Sequence, residues 1–299
     1  MRMAKSDISI RIGPVVFQTP VFLASGICGY GEEYSPLIDA GKLGGIVTKT
    51  ITLRPRMGNP PPRIRELPTG ALNSIGLENV GLDVYLEDKL PRLAKRNVDV
   101  IVSIAAERAA EFDEIARALA GAGGFKGVEL NLSCPNIDEE ALDHGRDPAF
   151  VEKITRIVKD RLPDRAVLVK ITPNVTDIGE VAKAAEAGGA DGISAINTVV
   201  GIDFDLDTGK PFFYKGSGGY SGPGVLPIAL QKVWEVAKAV SISVVGIGGI
   251  SSVDDARKFF IAGASAVQVG TSLWQNPELP GEIVSAFTEH PEWMKKGPY

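Results

Sequence analysis

The chain has 299 residues, 44% of them hydrophobic and 23% charged, with a formal net charge of −5. That is the composition of a soluble globular protein of one large or two ordinary domains, and the acidic balance argues against nucleic acid or an anionic membrane as the main partner. Two cysteines, Cys28 and Cys134, and two histidines, His144 and His290, are too few for a four-cysteine zinc or iron–sulfur site or a His-rich metal centre, so no metal is expected and redox chemistry needs an organic cofactor or another chain.

Residues 8–17, with Gly13-Pro14 in the middle, read as an N-terminal β-hairpin capping the bottom of the fold. Nothing in 1–13 resembles a signal-peptide core and no apolar run nears the roughly 20 residues of a bilayer span, so the expected location is cytoplasmic. Strand-like runs follow at 21–23, 45–50, 98–105, 127–134, 166–172, 192–199, 243–249 and 266–272, each ending in small or polar residues. Helical patterns lie between them. Leu82, Leu86, Leu90 and Leu93 share one helical face. Pro227 suits the first turn of a helix carrying Leu230, Val233 and Trp234. Ser252 and Asp255 resemble a capping box before 256–262. Eight alternating βα units predict an α/β fold of TIM (β/α)8 barrel type, with an open doubly wound sheet as the competitor. Extra sequence falls after strands two, four and six, at 51–81, 135–148 and 200–224, and no linker divides the chain, so 1–299 reads as a single domain.

Loops after strands lie on the C-terminal face, where barrel enzymes keep their sites. Strand two ends in Lys49-Thr50, strand four in Asn131-Leu132-Ser133-Cys134, strand five in Lys170 and strand six in Asn197-Thr198. A buried lysine or amide without partners costs several kcal/mol, so four polar strand ends at one mouth point to a site rather than to packing. Strands seven and eight end in Gly246-Ile247-Gly248-Gly249 and Gly270-Thr271. Tight turns also need glycine, but two glycine turns on these adjacent strands match the usual phosphate site of the fold. Asp203, Asp205 and Asp207 do not make an EF-hand loop, because Thr208 and Tyr214 occupy its glycine and glutamate positions. The arginines Arg54, Arg56, Arg63 and Arg65 read as a solvated loop or a docking surface, His144 as an exposed residue and Cys28 as a small buried filler.

Ten motifs stand out along the chain. They are Ala24-Ser25-Gly26, Lys49-Thr50, Arg56-Met57-Gly58-Asn59-Pro60, Asn73-Ser74-Ile75-Gly76-Leu77-Glu78-Asn79, Glu129-Leu130-Asn131-Leu132-Ser133-Cys134-Pro135-Asn136, Val169-Lys170-Ile171-Thr172-Pro173-Asn174-Val175, Ile196-Asn197-Thr198, Ser221-Gly222-Pro223, Gly246-Ile247-Gly248-Gly249-Ile250 and Gly270-Thr271. Together these motifs resemble the class 1 dihydroorotate dehydrogenases, and they cover most of 8–274. The resemblance implies FMN across the barrel mouth, held by Ser25, Lys49, Thr50, Asn131, Lys170, Ile196, Gly222, Gly248, Gly249, Gly270 and Thr271. Ser103 stands where some relatives have asparagine and is counted with them. It implies dihydroorotate held by Lys49, Asn73, Ser74, Ile75, Gly76, Leu77, Asn131, Asn136, Asn197 and Thr198, with Cys134 as the base that removes the C5 proton.

Within class 1 the Arg56–Pro60 and Ile75–Asn79 contexts lean toward subclass 1B. Its members pair with a subunit carrying FAD and a [2Fe–2S] cluster, pass electrons to NAD+, and are expected as a homodimer core or heterotetramer. The loop Gly201-Ile202-Asp203-Phe204-Asp205, continuing to Phe212-Phe213-Tyr214, is more acidic and aromatic than in relatives. Competing readings are an FMN barrel acting on another dihydropyrimidine, a fumarate-using subclass 1A enzyme, and a non-redox phosphate-binding lyase or isomerase using Lys170.

Overall fold

The computed structural model describes residues 7–32, 38–132, 144–295 and 297. A short hairpin, β1 (Ile10–Ile12) and β2 (Val15–Phe17), leads into β3 (Val21–Leu23) and β4 (Gly45–Val47). Further along come β7 (Val100–Ile104), β8 (Gly127–Asn131), β9 (Ala166–Ile171), β10 (Gly192–Ala195), β13 (Ser243–Ile247) and β14 (Ala266–Val269). These eight strands, β3 onward, form a closed barrel in which every neighbour pairs in parallel. Closure comes from β14 on β3, with Val267 opposite Val21 and Gln268 opposite Phe22. The strands are buried almost without interruption, as expected when helices cover the outer face and side chains fill the inner one. The sequence-predicted barrel is therefore the observed one, and the open-sheet alternative is excluded.

Helices α3 (Ala109–Ala120), α4 (Pro148–Arg161), α5 (Ile178–Ala187), α6 (Leu226–Ala239), α7 (Val253–Ile261) and α8 (Leu279–Glu289) surround the barrel. Each turns one apolar stripe inward, for example Phe112, Ile115, Ala116 and Leu119 on α3. The leucine-striped helix before them is less regular. It runs through α1 (Leu82–Val84), a π-helical turn at Tyr85–Lys89 and α2 (Leu90–Ala94). Pro91 lacks the N–H that would bond the Glu87 carbonyl, and its ring crowds that group, which accounts for the widened turn.

The hairpin plugs the bottom of the barrel. Ile12 and Phe17, both fully buried, pack with Phe22, Val47, Ile101, Leu168 and Val245 of the barrel strands. At the other end, the insertions after the second and sixth barrel strands meet. They supply β5 (Ile64–Leu67) with β6 (Gly70–Asn73), and β11 (Val199–Gly201) with β12 (Gly218–Ser221). These pair antiparallel in the order β11-β12-β6-β5 and form a small sheet beside the mouth. The third predicted insertion, after strand four, lies mostly outside the described residues.

The capping box on α7 is present. Ser252 accepts from the Asp255 N–H at 3.1 Å, while the buried Asp255 carboxylate accepts from the Ser251 hydroxyl at 2.9 Å and from Lys258 at 2.9 Å. Burial works to raise the Asp255 pKa, but hydrogen bonds from Lys258, Ser251 and Ser252 outweigh it and hold the group below its ordinary value of 3.8. A depressed carboxylate stabilises the fold above its unfolded pKa and loses that contribution as pH falls through the folded value. Asp255→Asn is therefore expected to lower stability near neutral pH by about 1 kcal/mol, the usual scale of a cap. In thermal melts taken down through pH 3.8, the gap between parent and variant should close; a gap independent of pH would show that the charge is not responsible.

Candidate active site

A cavity of about 500 Å³ opens at the C-terminal end of the barrel, between the strand ends and the mouth sheet. That is the size of a site for a cofactor-sized ligand. Sixteen of the sequence-predicted residues line it: Ser25, Lys49, Thr50, Asn73, Ile75, Leu77, Asn131, Lys170, Ile196, Asn197, Thr198, Gly222, Gly248, Gly249, Gly270 and Thr271. Three others stand behind the wall. Ser103 is fully buried and touches Thr50, while Ser74 and Gly76 pack on Asn59. Cys134 and Asn136 lie outside the described residues. Ala24, Gly26, Glu78 and Ser221, quoted above only as parts of motifs, also line the cavity, as do Tyr220, Gln268 and Trp274, for which no site role was expected.

One wall is a continuous hydrogen-bonded chain. The hydroxyls of Ser103 and Thr50 share a bond of 2.8 Å, Asn131 Nδ2 donates to Thr50 Oγ1 at 3.3 Å, and Asn197 Nδ2 donates to Asn131 Oδ1 at 3.2 Å. Ser25 donates to the Thr48 carbonyl at 2.7 Å beside them. Such a chain fixes which way each amide faces, so the remaining donors and acceptors meet a ligand already oriented. Asn73 is held from the mouth sheet, donating to the Gly219 carbonyl at 3.1 Å. Next to it Leu77 has φ 55°, the one left-handed non-glycine among the described residues, and sparsely populated backbone of this kind clusters at ligand sites.

The opposite end is made of backbone. Gly249 has φ 76°, and a Cβ there would come within 2.6 Å of the Leu226 nitrogen, so the turn after β13 is open only to glycine. Among the described residues, the N–H groups of Gly249, Gly270 and Thr271 have no acceptor within the chain. Thr271 Oγ1 donates to Ser221 Oγ at 2.8 Å and ties this end to the mouth sheet. Unpaired N–H groups converging on a cavity form an anion nest, and this donor set fits a phosphate. With Lys170 and the Thr50–Asn131 wall, the residues present fit a phosphorylated planar cofactor such as FMN.

The floor was not foreseen. Lys170, buried, directs its ammonium to Glu129 Oε1 at 3.5 Å. Glu129 is fully buried, and its Oε2 accepts from Ser194 Oγ at 2.8 Å and Gln268 Nε2 at 2.7 Å. These three come from the fourth, sixth and eighth barrel strands, the alternate-strand pattern of one barrel layer. A sequence signal existed: Glu129 precedes Asn131 by two residues and so shares its face of the strand.

Above the cavity, Lys49 lies 3.6 Å from Glu78, which also pairs with Arg63 at 3.0 Å. Arg56 pairs with Glu107 at 2.7 Å, and Arg65 with Asp203 at 2.8 Å while covering the Phe212 ring. Three of the four arginines of the basic stretch are thus engaged inside the chain. Asp203 holds Arg65, and Asp205 accepts from the Thr208 N–H and hydroxyl at 2.8 and 2.9 Å, so neither points at a shared ion. The loop around them leaves Phe204, Leu206 and Tyr214 exposed.

Comparison with known proteins agrees with this geometry. A sequence model of the family described as Dihydroorotate dehydrogenase matches residues 8–290. A protein of Solidesulfovibrio magneticus named dihydroorotate dehydrogenase B (NAD(+)), catalytic subunit, is 45% identical over 283 residues, covering 95% of this chain and 92% of the relative. A protein of the same name from Thermoanaerobacter sp. strain X514 is also 45% identical, covering 95% and 93%. Among solved structures, DHODH in complex with ferulenol from Eimeria tenella superposes with a TM-score of 0.79 over 96% of this chain and 86% of that one, at 24% identity, which speaks to the fold. The chain belongs to the dihydroorotate dehydrogenase family, on the side of its B-type catalytic subunits.

Proposed function

We propose that this chain is the FMN-binding catalytic subunit of a cytosolic dihydroorotate dehydrogenase, one domain that oxidises dihydroorotate to orotate for pyrimidine synthesis. The reading rests on one observation above the others. The unpaired N–H groups of the glycine turns, Lys170, Lys49 and three asparagines line a single cavity in a chain of this family. Among the described residues no helix is long and apolar enough to cross a membrane.

Ser25, Thr50, Asn131, Lys170, Ile196, Gly222, Gly248, Gly249, Gly270 and Thr271 would hold the cofactor, with Ser103 supporting Thr50 from behind. Bound FMN supplies the acceptor for the hydride that leaves C6 of the substrate. Lys49 attracts the substrate carboxylate, and the amides of Asn73, Asn131 and Asn197 suit the alternating N–H and C=O groups of a dihydropyrimidine ring. Thr198, Ile75 and Leu77 close around the ring, Ser74 and Gly76 support them from behind through Asn59, and Asn136 completes the amide set. Cys134 takes the C5 proton. A free thiol titrates near 8.5, so the site must favour thiolate at neutral pH. With two cysteines in the whole sequence, this chain cannot supply the ligands of an iron–sulfur cluster. The electrons pass to NAD+ through a partner subunit that carries FAD and a [2Fe–2S] cluster, around a homodimeric core.

Three measurements test this. Protein made in flavin-replete cells and heat-denatured should release one FMN per chain; a folded, colourless protein that releases none would remove the reading. Cys134→Ala should keep its flavin and lose turnover by roughly 10²–10⁴-fold, the scale of a positioned base, while Cys134→Ser retains weak activity that rises with pH. Parent-like turnover of dihydroorotate by Cys134→Ala would exclude the base assignment. Finally, the chain alone should reduce dyes but not NAD+, and acquire NAD+ reduction when the FAD/iron–sulfur subunit is added. Efficient NAD+ reduction without a partner would contradict the subunit arrangement, and robust fumarate reduction would place the enzyme in subclass 1A.

A further inference from the structure

Glu129 is a fully buried carboxylate that the mechanism above does not use. Its Oε2 is fixed by two donors, Ser194 Oγ at 2.8 Å and Gln268 Nε2 at 2.7 Å, which come from different strands. Its Oε1, among the described residues, has no hydrogen-bond donor; the group facing it is the Lys170 ammonium at 3.5 Å. Lys170 in turn lines the cavity. Burying a carboxylate costs several kcal/mol unless it is paired, and leaving a buried lysine without a counter-charge is as unfavourable. For stability alone, a barrel layer filled with apolar side chains, as at the bottom of this barrel, would serve at least as well. The carboxylate is therefore placed for what it does to Lys170.

We propose that Glu129 is a positioning residue of the flavin site: held on the barrel axis by Ser194 and Gln268, it anchors the Lys170 ammonium in the cavity floor and offsets its charge, and so sets how readily a bound flavin is reduced. This rests on the FMN reading given above. Reduction by hydride adds one negative charge to the site. Lys170 favours that charge and Glu129 opposes it, in a water-poor interior where a charge a few ångströms away is weakly screened. The pair accordingly holds the equilibrium below the value that a lone lysine would impose. Without the Oε2 anchors, the carboxylate would be free to swing with the lysine and the offset would be lost.

The test is the midpoint potential of the bound flavin, measured by equilibration with a reference dye in the parent, Glu129→Gln and Glu129→Asp. Glutamine keeps the shape and removes the charge. The expected result is retained flavin and a shift of about tenfold or more toward the reduced form, about 30 mV for a two-electron couple. Aspartate keeps the charge but draws it away from Lys170 by one methylene, and should move the potential in the same direction by less. It also carries the test if the glutamine variant does not fold. A role in packing alone would lower the melting temperature and leave the potential where it was. Potentials equal to the parent's in every folded variant would overturn the proposal. A parent that binds no flavin would instead overturn the reading on which it rests, and the proposal with it.

Discussion

Pairing of β14 with β3 closes eight parallel strands into a barrel, and the rest of the molecule follows from that closure. A closed parallel sheet has no free backbone edge and both of its faces are covered, so almost every strand residue is buried. Ligands can then meet only what projects from the ends. The two ends are unlike. At the bottom, Ile12 and Phe17 of the hairpin join Phe22, Ile101 and Leu168 in a dry cluster. One layer up the axis carries Glu129, Ser194 and Gln268, and at the mouth Lys170, Asn131 and Thr50. Polarity thus rises in steps along one axis, and each polar layer is satisfied partly by the one above it.

The mouth is shaped by a second constraint. The loops after the second and sixth barrel strands are distant in sequence, yet Asn73 pairs with Gly219 and Leu72 with Tyr220. This small sheet carries Asn73 and Tyr220 to the cavity, and the Thr271–Ser221 bond fastens it to the glycine turns. Neither loop alone encloses the cavity on that side. A hairpin of two strands is marginal in water, and four strands with a packed face are not.

Much of this was legible in the sequence because barrel strands and their ends have strong local signatures. The eight apolar runs, the Gly13-Pro14 hairpin, the Ser252–Asp255 cap and the glycine turns each depend on neighbours a few residues away, and each appears where it was expected. What depends on closure was not legible. Glu129, Ser194 and Gln268 are single polar residues inside apolar runs, and only a closed barrel brings them within hydrogen-bonding distance. The mouth sheet is a pairing across more than a hundred residues, which no local pattern encodes. The motif residues Ser74 and Gly76 belong to the site by sequence context but serve it through Asn59, and the basic stretch looked like open surface until Glu107, Glu78 and Asp203 were found opposite its arginines.

The hairpin plug has a consequence for traffic. With Ile12 and Phe17 packed beneath a filled interior, the described residues close the axis at its far end, and the cavity faces the mouth. Among the described residues, a visitor that brings electrons and one that carries them away both meet the cavity from the mouth side. Two visitors to one mouth take turns or stand on different parts of its rim, and the filled interior, with the apolar plug beneath it, keeps both on that side, far from the plug itself.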